Sequence, residues 1–128
     1  MTLTQGTPTK ILDNKTAEDG SYTTLTDCTT IDMDAAASLD IEVLVTYGSS
    51  SVTGCAVVKV FASYDDSHYD TDPVEQFDLP FLINAAKSQT FSITTRARYL
   101  KCQIVNTDSG ANKDLTACYI YAHKQTIS

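Results

Sequence analysis

Tryptophan is missing from this 128-residue chain, histidine occurs twice, proline three times and glycine five times. Each scarcity closes a route to function. Nothing in the sequence places His68 or His123 within reach of a serine or cysteine and a third orienting group, so no nucleophilic triad is legible. The few glycines form no Walker-type loop to cradle a phosphate. Basic residues number nine against sixteen acidic ones, a formal net charge of -7. That balance speaks against a nucleic-acid binder that works by neutralising phosphates, and against adhesion to an anionic membrane. No window approaches a membrane span of consecutive apolar residues, and residues 1–10 lack the apolar stretch of a signal peptide. The expectation is a chain with neither membrane span nor signal peptide, folding in the compartment where it is made.

What is present points to sheets. Thr, Val and Ile are plentiful and Tyr occurs seven times; these residues suit a pleated, half-buried surface. An apolar fraction of 42% and a charged fraction of 20% belong to a globular chain, and the length suits a single core. The period of two is clearest over residues 39–47, where Leu39, Ile41, Val43, Val45 and Tyr47 alternate with Asp40, Glu42, Leu44 and Thr46. Residues 55–64 read as a second strand, in which an outward Lys59 sends Ala56, Val58, Val60, Ala62 and Tyr64 inward. Residues 89–94 turn Phe91 and Ile93 inward, residues 98–106 turn Leu100, Cys102 and Ile104, and residues 115–123 turn Cys118 and Ile120. Shorter strands are expected at 74–79 and over 22–33, the latter broken near Asp27. Residues 1–20, rich in turn formers around Ile11 and Leu12, read as an N-terminal arm with one short strand, ahead of a sandwich domain over 21–128. With no helical amphipathicity, these seven or eight strands predict an all-β antiparallel sandwich.

Chemistry-bearing residues are then weighed against plainer roles. The spacing of Cys28, Cys55, Cys102 and Cys118 fits no zinc pattern and no dense disulfide scaffold. Cys102 and Cys118 fall in apolar alternations and read as small buried hydrophobes, with a Cys102–Cys118 bridge between neighbouring strands as the rival. Residues 65–78 hold six acids, Asp65, Asp66, Asp70, Asp72, Glu75 and Asp78, and no Lys or Arg. Such oxygens could hold Ca²⁺, but the Asp-x-Asp-x-Asp-Gly spacing is absent, so a solvated turn or a charged patch facing a partner is preferred and no metal site is assigned. Carboxylate pairs for glycoside hydrolysis lack an aromatic-lined cleft signature, and no catalytic residue or cofactor is expected. Arg96, Arg98 and Lys101 are the densest positive group. Set against the acidic turn, they either fix the register of a contact between copies or pair within one chain, the second reading being slightly preferred.

A resemblance adds to this. The run Val60-Phe61-Ala62-Ser63-Tyr64-Asp65-Asp66-Ser67-His68-Tyr69-Asp70 resembles the strand and turn of discoidin-like (galactose-binding-like) jelly rolls, with Asp66 where those domains carry Gly. Residues 97–106, Ala97-Arg98-Tyr99-Leu100-Lys101-Cys102-Gln103-Ile104-Val105-Asn106, look like a later strand of the same family, and 117–122 like its last. The chain is also similar to small accessory virion proteins of tailed phages, such as head decoration or tail components. The resemblance implies a jelly-roll sandwich and a non-enzymatic protein made in the host cytoplasm and carried in the virion. Its partners would be other virion proteins of a capsid or tail lattice, and it would form a small homo-oligomer, without nucleic acid or membrane. On this reading the arm reaches out and orders on docking, and Asp65, Asp66, Asp70, Asp72, Arg96, Arg98 and Lys101 are the candidate partner contacts. The alternative is a carbohydrate-binding module, with Tyr69 and Tyr99 as candidate glycan contacts because Tyr47 and Tyr64 look inward.

Overall fold

A computed structural model of the chain realises these alternations as strands; it describes residues 3–5, 7–34 and 36–127. In chain order the strands are β1 (Leu3–Gln5), β2 (Thr9–Ala17), β3 (Ile31–Asp32), β4 (Ala36–Thr46), β5 (Ala56–Ser63), β6 (Glu75–Asp78), β7 (Ala86–Ile93), β8 (Tyr99–Asn106) and β9 (Leu115–Ile127). The larger sheet runs β9–β4–β7, with β1 and β2 following one another along the free side of β9; the smaller is β3–β8–β5–β6. Beyond β1, the antiparallel partners are β2 with β9, β3 with β8, β4 with β7 and β5 with β6. That is one long ribbon rolled up, successive pairs falling alternately in the larger and smaller sheet. β9 against β4 and β8 against β5 close the roll. The expected all-β jelly-roll sandwich is therefore the observed fold.

The core follows from the pleat. Leu39, Ile41, Val43, Val45 and Tyr47 of the larger sheet are at most 2% exposed, and Leu115, Cys118 and Ile120 of β9 are fully buried beside them. Val58, Val60, Leu100, Cys102 and Ile104 face them from the smaller sheet. Each such aliphatic side chain stabilises the fold by about 1.5–3 kcal/mol relative to an exposed one. Phe77 of β6 stacks on Phe91 of β7 with centroids 4.6 Å apart, joining the two sheets along one side.

Two expectations need correction, and one rival reading falls away. The segment read as an arm contains β2, a nine-residue edge strand paired along β9, with Leu12 and Ala17 fully buried. Its alternation is hidden because the pairing register shifts three times, and because Asn14 takes a positive φ of 49°. Tyr64 does not face the core: β5 ends at Ser63, and the Tyr64 ring is 85% exposed. Cys102 and Cys118 lie on strands of different sheets, so the rival bridge between neighbouring strands is not made; all four thiols are free and buried.

Between β2 and β3 the chain runs along the outer edge of β8. The Cys102, Ile104 and Asn106 amides point to this edge and donate, respectively, to Cys28 Sγ (3.3 Å), Thr23 Oγ1 (3.0 Å) and the Ser21 carbonyl (2.9 Å). A 3-10 turn at Leu25–Asp27 interrupts this run. Its box is closed by the Thr24 hydroxyl on the Asp27 amide and the Asp27 carboxylate on the Thr24 amide, which accounts for the break expected near Asp27.

Candidate functional site

The roll leaves two ends and one sheet face from which a site can be built. At the β5–β6 end, Ser63 Oγ accepts from the amides of Asp65 and Asp66, turning the chain sharply out of β5. The Asp65 carboxylate folds back into its own turn, taking the Ser67 and His68 amides at 2.9 Å each and the His68 Nδ1 at 2.8 Å. These donors, His68 first, hold the Asp65 carboxyl well below the usual carboxylate range, and the same contact raises the His68 pKa. Asp66 has φ 62°, a left-handed conformation that glycine adopts without penalty and Asp tolerates. Its carboxylate accepts from Tyr69 OH at 2.6 Å and Thr30 Oγ1 at 2.8 Å, which lowers its pKa. Burial, with the Asp66 contact second, pushes the Tyr69 phenol up to about 12.

The basic group sits beside this turn but divides its partners. Arg98 binds Asp32 through two nitrogens, at 2.7 and 3.3 Å, and approaches Asp34 at 3.8 Å. The Arg98 hydrogen bonds bring Asp32 down to about 2. Lys101 lies 5.3 Å from the centre of the Tyr69 ring. Of the basic group, Lys101 thus meets the acidic turn at the Tyr69 ring, while Arg98 takes Asp32 of β3 and Asp34 just after it. Glu75 spans the sheets: its carboxylate accepts from the amides and hydroxyls of Thr94 and Thr95. Asp70 and Asp72 remain exposed. Among the described residues no group of three or more His, Cys, Asp or Glu is placed to hold a metal ion.

Two hollows result. One, at the β5–β6 end, is lined by Met33, Asp34, Ala36, Tyr64, Arg96 and Arg98, with Ala97 at its base. The other is a groove over the outer face of the smaller sheet. Its floor is Lys59 and Phe61 of β5 with Gln103 and Val105 of β8. Tyr22 and Leu25 rise on the β8 side, where Tyr22 bridges Val105. On the other side are Tyr69, Asp70, Asp72 and Pro73, in a segment held to β5 by the Asp70 and Val74 amides on the Ala62 and Val60 carbonyls. Tyr22 is 56% exposed. Tyr69 therefore lines the groove, whereas Tyr99 lies under the Arg98 guanidinium, 4.9 Å from ring centre to Cζ, outside it.

Sequence reasoning missed Tyr64, Tyr22 and Glu75 as site residues. The turn pattern Ser63-x-Asp65 signals that the strand stops before Tyr64. Tyr22 follows Asp19-Gly20, a turn signal that would have marked it as a surface aromatic. Nothing local announces Glu75, whose partners are nineteen and twenty residues away.

No protein-family model matches this chain, and no curated protein matches it. Solved structures resemble it at low identity. The C-terminal domain of a chitobiase from Bacteroides fragilis aligns over 77% of this chain at 20% identity and a TM-score of 0.40, the chain spanning 63% of that domain. A carbohydrate-binding module of Cellvibrio mixtus lichenase 5A, solved with cellotriose, aligns over 98% of this chain and 90% of its own at 10% identity and a TM-score of 0.46. The coat protein of tobacco streak virus aligns over 98% and 88% at 11% identity and a TM-score of 0.32. At these scores nothing of what those proteins bind or build passes to this chain, which is placed by its own strand order as a jelly-roll sandwich.

Proposed function

We propose that this chain is a non-enzymatic accessory component of a tailed-phage virion, docked by surface contact on a capsid or tail lattice. The observation that carries this reading is the β5–β6 end, where Tyr64 stands 85% exposed in a hollow it shares with Arg96 and Arg98. Tyr and Arg are the side chains that dominate protein–protein hot spots, because each presents a large contact surface together with a polar group. The rest of the end is stiffened by carboxylates bound within the chain, so the aromatic is displayed on an ordered base. Manufacture in the host cytoplasm, residence in the virion and a small homo-oligomer belong to the same reading. The test is to purify particles from a phage carrying this gene and quantify the chain in them. It should copurify in fixed copy number, and a Tyr64→Ala variant should be lost from particles while keeping its melting temperature. Absence of the wild-type chain from purified particles would sink the proposal.

A second reading, a carbohydrate-binding module, is favoured by the groove. Aromatic rings of Tyr22, Tyr69 and Phe61 beside Lys59, Asp70, Asp72 and Gln103 offer apolar faces for pyranose rings and hydrogen-bonding groups for hydroxyls. A glycan array, followed by titration of any hit at millimolar oligosaccharide, should give saturable binding that Tyr22→Ala or Tyr69→Ala abolishes. A blank array removes this reading and leaves the first intact.

A further inference from the structure

Along the outer edge of β8 the 3-10 turn at Leu25–Asp27 interrupts the neighbouring chain, and the Cys28 sulfur takes the Cys102 amide that faces the break, at 3.3 Å. This places a second thiol against the first. Cys28 Sγ, which itself donates to the Thr29 carbonyl at 3.4 Å, is thus seated against Cys102, although 74 residues separate the two. Cys28 is 3% exposed and Cys102 fully buried. The other two thiols have different surroundings: Cys118 Sγ donates to the carbonyls of Leu115 and Thr116, and Cys55 lies at the base of the β4–β5 loop.

From this geometry we infer that Cys28 and Cys102 are a redox-active dithiol, which a small disulfide oxidant of the glutathione disulfide class converts into an intramolecular disulfide. The Cys28 thiolate attacks one sulfur of the oxidant, forming a mixed disulfide and releasing one thiol. The Cys102 thiolate then attacks the Cys28 sulfur, forming the protein disulfide and releasing the second. The two protons and two electrons of the cysteines end on the two released thiols. The neighbouring Cys102 thiol, helped by the Cys102 amide, lowers the Cys28 pKa, which suits Cys28 to the first attack, while the Cys102 thiol is raised and reacts second. Access comes from local opening of residues 20–28, a segment without a regular strand. The bond closes a long chain loop and ties to β8 the segment that carries Tyr22 and Leu25.

The experiment incubates the folded full chain with excess glutathione disulfide, then alkylates the remaining thiols under denaturing conditions and maps peptides by mass. Two of the four thiols should be lost to a single Cys28–Cys102 link, with a rise in melting temperature of about 10 °C. Dithiothreitol should reverse both changes. A Cys55→Ser, Cys118→Ser double variant should behave as wild type, and Cys28→Ser should leave Cys102 unmodified. Four free thiols after oxidation, a glutathione adduct on Cys28 that Cys102 does not displace, or a link through Cys55 or Cys118 would each overturn the inference. The wild-type map decides this even where a variant fails to fold.

Discussion

The two ends of the sandwich are tied together by different means. At the β4–β5 end the loops are stitched mainly through backbone groups. The Ser50 amide donates to the Asn112 carbonyl, the Asn84 amide to the Gly48 carbonyl, and the Tyr47 amide to the Ala85 carbonyl. A methyl group on Gly48 would collide with the Asn112 carbonyl, so three loops meet where only glycine fits. Carboxylates join here too, Asp19 taking the Gly110 amide, Asp114 the Asp19 amide and Asp108 the Lys113 ammonium, but none of them holds the Gly48 junction. At the β5–β6 end the connections run through side chains: Asp65 on its own turn, Asp32 on Arg98, Asp66 on Tyr69 and Thr30, Glu75 on Thr94 and Thr95. A backbone stitch is insensitive to pH but intolerant of added volume. A carboxylate stitch is the reverse, and it leaves charge at the surface for a partner to read.

The sharpest way to break the contrast is Gly48→Val, which forces three loops apart and should cost about 3 kcal/mol or more by urea denaturation. Glu75→Ala removes an acceptor from two amides and two hydroxyls at the other end. It should cost about 1–2 kcal/mol in the same assay, with the Thr94 and Thr95 amides losing exchange protection. Acid should separate the ends without mutation. Asp32 and Asp65 have depressed folded pKa values, so their contributions are present above the ordinary carboxylate value near ~4 and vanish as pH falls through the folded values. For Asp32 the window runs from that value down to about 2. Between these limits amide exchange at Asp34, Ser67 and His68 should quicken before that at Ser50 and Asn84; equal response at both ends would remove the distinction. The smallest effect is at His68, whose pKa is raised, so its contribution is present below the ordinary value and is lost as pH rises through the folded one. Asp65→Asn should return the His68 ring to the ordinary value in an NMR titration.

The sequence made the regular parts of this fold legible and concealed the irregular ones, for a physical reason. β8, and β4 from Leu39 on, keep period two because each has one face on the core, whereas β5 is buried on both faces except at Lys59 and β9 slips once at Ala117; all four lie within a few residues of the expected positions. β2 is as well buried at Leu12 and Ala17, but its register shifts place Ile11 and Leu12 side by side in the interior and erase the alternation. The charged residues find partners that the sequence did not suggest: Lys101 lies over the Tyr69 ring rather than on an acid, and Arg98 pairs with Asp32, an acid that sequence distance had hidden. The groove combines Tyr22, Phe61, Tyr69 and Val105 from four separate segments, and such a surface exists only once the roll is closed.

The rolled ribbon also sets an order of assembly. β5 and β6 are the pair joined by the shortest connection, whereas β2 waits for β9, the last strand in order, which lies inside the larger sheet between β2 and β4. Pairings between sequence-distant strands carry the largest loop-closure cost and fold slowly. Zippering should therefore start at the turn after Ser63 and travel outward. Until β9 arrives, β4 lacks a neighbour along one edge, so the larger sheet is completed only after the whole domain has left the ribosome.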